Sequence, residues 1–205
     1  MKIFAMAVLS AAALMSVSAQ AAVSFSSSSA VPDGAVDYGF EASDTLPSFV
    51  SLSGGYVATA SIANVTARPP GSTGNFWSFG PSAPNTPTGS MSFAGDGVTS
   101  VSFLWGSPDT YNTLSYSYTT ASGQTFDKSF LGTSLTGDQS VGIYLTLEGT
   151  AGDRITSLTF ASPGGDAFEV DNFRFTAAVP EPETYALMLA GLGAVAFVAR
   201  RRRSA

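Results

Sequence analysis

Residues 101–118 read VSFLWGSPDTYNTLSYSY, and their spacing decides the fold class. Val101, Phe103 and Trp105 share one parity, and so do Leu114, Tyr116 and Tyr118, with Pro108 and Asp109 between the two runs. Alternation at period two puts one set of side chains on a packed face and leaves the other set wet, as in a half-buried strand. The period recurs in Val36-Tyr38-Phe40, in Tyr56-Ala58-Ala60-Ile62 and in Ile143-Leu145-Leu147. Turn residues separate these runs at Gly54-Gly55, Gly95-Asp96-Gly97, Ser122-Gly123, 136–138, 149–153 and Pro163-Gly164-Gly165. Residues 22–178 are therefore read as an all-β domain: an antiparallel β-sandwich or jelly roll of about ten strands, without a helical period.

Two stretches break the rhythm. Residues 63–90 hold five prolines around Phe76, Trp77 and Phe79, and proline cannot donate to a sheet ladder, so the stretch reads as a surface loop. Its aromatics either fold back onto the sheet or offer Trp77 as a stacking face for a glycan. In AFEVDNFRF, Phe168 and Val170 fall on one parity and Phe173 and Phe175 on the other. Keeping all four inward requires one inserted residue, a β-bulge, near Asp171-Asn172. Asp171 then either faces a cation or bonds to the neighbouring loop.

Composition excludes more than it suggests. Residues 22–178 carry thirteen acidic residues against Arg68, Lys128, Arg154 and Arg174, a net charge of −9, so no basic patch exists to meet nucleic acid. With no cysteine there is no disulfide framework, and with no histidine there is neither a Ser-His-Asp system nor an imidazole metal site. No D-x-D-x-D-G calcium loop occurs, and no cofactor is expected. Asp166 and Asp171, with Asp153 in the loop after Gly152, are the candidate metal ligands, with calcium as the ion.

The termini carry addresses. Lys2, an apolar stretch and Ala19-Gln20-Ala21 have the layout of a secretory signal peptide over 1–21, a helix removed after Ala21. At the other end Pro180-Glu181-Pro182 enforces an extended entry. An uncharged segment over 185–199 follows, closed by Arg200, Arg201, Arg202 and Arg203. Fifteen helical residues span roughly 22 Å, a short membrane helix, and the arginines fix its C-terminal end in the cytoplasm.

This order of parts, Val-Pro-Glu-Pro, a short apolar helix with Gly191-x-Gly193 and an arginine cluster, resembles the PEP-CTERM protein-sorting signal. The same kind of tail is also described as an ice-binding protein C-terminal domain. The resemblance implies a sorting segment over 179–205, recognition by the membrane protease or transpeptidase exosortase, and passage from the inner membrane to the cell envelope or outside. Trp105, Gly106, Ser107, Asp109, Tyr111 and Asn112 are similar to the W-G-S-x-D-x-Y-N motif of a subfamily of exosortase-dependent surface proteins. Read physically, the motif is a hairpin corner with Asp109, Tyr111 and Asn112 as its polar cluster.

The function expected is that of a non-enzymatic envelope or matrix protein, associated with exopolysaccharide. A glycoside-active enzyme, with Glu169 and Asp171 as its acids, and an ice-binding protein are the alternatives. Against the enzyme, Arg174 stands where the E-x-D-x-x-E pattern needs a third acid. Against ice binding, no regular threonine repeat is present.

Overall fold

The computed structural model describes residues 23–135, 140–150, 152–178, 188–193, 195 and 200. Eleven strands form one antiparallel sheet that nearly closes on itself. One run is ordered β2 (Val50–Gly54), β5 (Thr88–Phe93), β10 (Arg154–Ala161), β7 (Thr113–Thr119) and β8 (Thr125–Leu131). The other is ordered β1 (Val23–Ser28), β9 (Ile143–Gly149), β6 (Val98–Gly106), β11 (Phe168–Ala177), β4 (Phe76–Phe79) and β3 (Tyr56–Ala58). Among the described residues a single pair, Ile155 with Val98, joins the two runs, so the ladder stays continuous where two separate sheets were expected.

The alternating side chains meet between the runs. Phe160 of β10 lies 5.1 Å from Phe79, 5.6 Å from Phe103 and 5.4 Å from Phe168, all on strands of the other run. Trp105 stacks on Phe168 at 4.2 Å. Burying such rings is the largest favourable contribution available to a chain without disulfides. Most connections carry the chain from one run to the other; among the described residues only β3–β4 and β7–β8 pair with their sequence neighbour. Gly54 and Gly55 make one such crossing, both at positive φ, where a Cβ on Gly55 would stand 2.1 Å from Trp77 Nε1.

Several expectations are corrected. Tyr38 forms only an isolated bridge to Phe173, and Phe40 has φ 62, because Asp44 Oδ2 accepts from the backbone N–H of Gly39 and of Glu41 and curls that stretch. The proline-free centre of 63–90 is β4, a buried strand between β11 and β3. Trp77 is 2 % exposed and donates from Nε1 to Gly54 O, so it offers no stacking face. The corner at 107–112 is not a hairpin, since β6 and β7 lie in different runs.

The bulge in β11 is present. Register shifts between Asp171 and Arg174, and Asn172 sits at φ 56 with its N–H donating to Asp171 Oδ1. Phe168, Val170 and Phe173 are thereby all buried.

The proposed signal peptide, with Ala19 and Ala21, lies outside the described residues, as do Pro180, Glu181, Pro182, Arg201, Arg202 and Arg203. Of the expected membrane segment, 188–193 are helical and exposed. Among the described residues no helix is long and apolar enough to cross a membrane.

Candidate functional site

Residues 59–75, between β3 and β4, form a strap across the outer face of β11, the face opposite the aromatic core. Arg68 ties the strap into a loop, donating to the carbonyls of Gly74 and Thr59 while lying over the Phe76 ring. The strap is fastened to two carboxylates of β11. Glu169 Oε1 accepts from Ala67 N–H at 2.7 Å and from Thr66 Oγ1 at 3.3 Å, and Thr66 shares a further bond with Ser78. Asp171 Oδ2 accepts from Ser72 Oγ at 2.6 Å. Glu41 Oε1 holds the strap's end by accepting from Asn75 N–H.

Beside the strap opens a cleft of about 330 Å³. Its walls are residues 61–67 of the strap, Ser107, Asp109 and Tyr111 of the corner after β6, and Asp166 of the loop before β11, with Glu169 at the base. The WGSxDxYN motif divides its roles here. Trp105 belongs to the core and Gly106 sits against Pro69, where a Cβ would be 2.8 Å from Pro69 Cα. Ser107 turns the chain at φ 47, and its carbonyl accepts from Asn112 Nδ2. Asn112 is fully buried and braces the corner, while Ser107, Asp109 and Tyr111 face the cleft. Gly165 lies flat against the Tyr111 ring, with room for no Cβ.

The electrostatics follow from burial. Desolvation pushes the Glu169 carboxyl up to about 7, assisted by the nearby Asp109 and Asp166 and opposed by the bonds from Ala67 and Thr66. Desolvation likewise raises Asp109 and, more strongly, the Tyr111 phenol. Asp171 rises to about 6, again mainly through burial, with Ser72 and the Asn172 N–H pulling it down. Glu169 and Asp171 share the outer face, yet they answer to different neighbours: Glu169 to Asp109 and Asp166, Asp171 to Glu41 and Arg68.

As for the proposed cation ligands, Asp166 is exposed at the cleft and Asp171 is enclosed beneath Ser72. Among the described residues no group of three or more acidic side chains is arranged to hold a metal ion. The grouping of Asp109, Asp166 and Glu169 escaped the sequence reading because it joins positions up to sixty residues apart across a crossover. The local sign was the motif itself, whose Asp109 and Tyr111 lie two apart and point the same way.

The fold and its flanks define a class: a β-domain whose last strand runs directly into a C-terminal sorting module. That module matches the PEP-CTERM protein-sorting motif over residues 178–203. No curated protein and no solved structure matches the chain. The chain thus carries a PEP-CTERM signal, which implies exosortase as its processing partner and the cell surface as its address.

Proposed function

We propose that this is an exported, exosortase-processed surface protein whose β-domain acts by binding, without enzymatic turnover, in association with exopolysaccharide. The observation that carries this reading is the join: β11 ends at Ala177, and the sorting motif begins at residue 178. Among the described residues no strand includes a residue of the sorting module, so cleavage near Pro180-Glu181-Pro182 would leave the eleven strands whole. The signal peptide at 1–21, the membrane segment at 185–199 and Arg200 to Arg203 would hold the precursor across the inner membrane until then. Replacing Pro180, Glu181 and Pro182 with alanine in a host that makes exosortase is expected to leave unprocessed chain in the membrane fraction. Unchanged processing and surface delivery would overturn the reading.

One observation favours a second reading, a glycoside-active enzyme: Glu169, a carboxyl titrating near neutrality at the base of a cleft beside Asp109 and Tyr111, is suited to general acid–base work. Reducing-sugar release that Glu169→Gln abolishes would establish it. Against it, Glu169 Oε1 is committed to fastening the strap.

A further inference from the structure

We propose that a trough on the outer face of β1, β9, β6 and β11, away from the cleft, binds an extended, uncharged glycan chain. This rests on the polysaccharide association proposed above and gives it a place, but it does not depend on sorting by exosortase.

The strand register builds the floor. Ser26 pairs with Thr146, Thr146 with Ser102, and Ser102 with Arg174, making one row across four strands; Glu148, Ser100 and Thr176 make the next. These side chains share the outward parity because Leu145, Leu147, Val101, Phe103 and Phe173 take the inward one. Loop 29–37 overhangs the floor, and two cavities of about 250 and 380 Å³ lie beneath it, sharing Pro32, Asp33 and Thr146. They form one trough crossing three strand spacings, roughly 14 Å, the scale of a few sugar rings.

Ser102 lies at the bottom, only 6 % exposed, and lines the larger cavity. Among the described residues no hydrogen bond engages the side-chain hydroxyls of Ser26, Ser100, Ser102 or Thr146. Ser102 is mostly covered, but its Oγ stays open to the cavity, where a ligand hydroxyl can bond to it. Hydroxyls both donate and accept, so rows of them match sugar hydroxyls and confer no charge preference.

Charge sets the remaining limit. The one cation in the trough, Arg174, is occupied: its Nε donates to Gly34 O, its guanidinium donates to Asn172 O, and it lies over the Tyr144 ring. Asp33 and Asp37 stand on the rim of a domain whose net charge is −9, which repels a uronate polymer. A neutral hexose chain is the ligand that remains.

The test is affinity electrophoresis of the full chain, in mild detergent, through gels carrying a neutral glucan, mannan or galactan, or a polyuronate. Retardation by a neutral polymer is expected. The double variant Thr146→Val with Ser102→Ala should weaken it by about tenfold, as expected for the loss of one to two hydrogen bonds. Ser26→Trp blocks the trough from an exposed edge-strand position, so it reads the site even if the double variant folds poorly. Asp109→Asn, in the cleft, reads the competing site, while Lys128→Ala, exposed on β8 and lining neither cavity, is the control that should bind as the wild type does. The proposal falls if no neutral polymer retards the chain, if Ser26→Trp binds unchanged, if Asp109→Asn is the variant that loses binding, or if the polyuronate binds best.

Discussion

The two faces of β11 are made of the same ten residues and follow opposite rules. Inward, Phe168, Val170 and Phe173 join a core of aromatic rings, where contact area and shape set the energy. Outward, Glu169 and Asp171 are buried almost as deeply, at 4 % and 2 % exposure, but as carboxylates fastened to a strap. Burial on the inner face is favourable whatever the pH. On the outer face, its benefit depends on whether the carboxyls hold a proton. Similar exposure therefore does not mean similar energetics, and the contrast can be tested one face at a time.

The largest effect is expected on the inner face. Phe173→Ala removes a fully buried ring that packs on Phe40, Phe103, Phe160 and Phe175, and should cost about 3–5 kcal/mol in denaturant unfolding. A loss below about 1 kcal/mol, little more than a surface substitution gives, would mean that this face is not the core.

The outer face should respond to pH with a definite sign. Glu169 and Asp171 titrate in the folded chain near 7 and 6, above their ordinary values, so the native state binds protons more tightly than the unfolded one. Their contribution is full below the ordinary carboxylate range and is lost as pH rises through 6 and 7. Stability should therefore fall between about pH 4 and pH 7 and level off above that. Glu169→Gln keeps an acceptor for Ala67 and Thr66 without the charge. It should flatten that slope and gain up to about 3 kcal/mol at pH 8, measured as the difference from wild type in melts across pH. A wild-type slope that the variant leaves intact would place the titration elsewhere.

The smallest effect separates the two faces at their junction. Asn172 holds the left-handed conformation that lets the strand switch parity, and asparagine tolerates it better than alanine does. Asn172→Ala should cost about 1 kcal/mol, while Asn172→Gly should cost less. Equal costs for the two would show that the bulge does not depend on backbone conformation there.

Much of the inner face was legible in advance, because strand periodicity is a local property. The alternation in 101–118 and 143–147 gave the strands, and the parity shift between Val170 and Phe173 gave the bulge. The same reasoning misjudged Tyr38 and Phe40, where a single carboxylate, Asp44, overrides the alternation by bonding to nearby N–H groups. It also read Phe76 to Phe79 as loop, because prolines on both sides of a four-residue strand hid its place between β11 and β3, although the reading that folds these aromatics back onto the sheet holds. For the cleft, the sequence offered Asp109 and Tyr111 through their spacing, but nothing local tied them to Asp166 and Glu169.

By itself, then, the chain determined its all-β class, its inward-facing residues and its PEP-CTERM signal, because each depends on neighbours a few positions away. Only the tertiary structure decided which outward residues are covered. The strap that buries Glu169 comes from a hundred positions earlier in the chain, and the hydroxyl rows of the trough come from four strands brought into register. Such long-range contacts carry no local period. They form because the crossings between the two runs bring distant segments onto one sheet face, where unpaired polar groups must find partners.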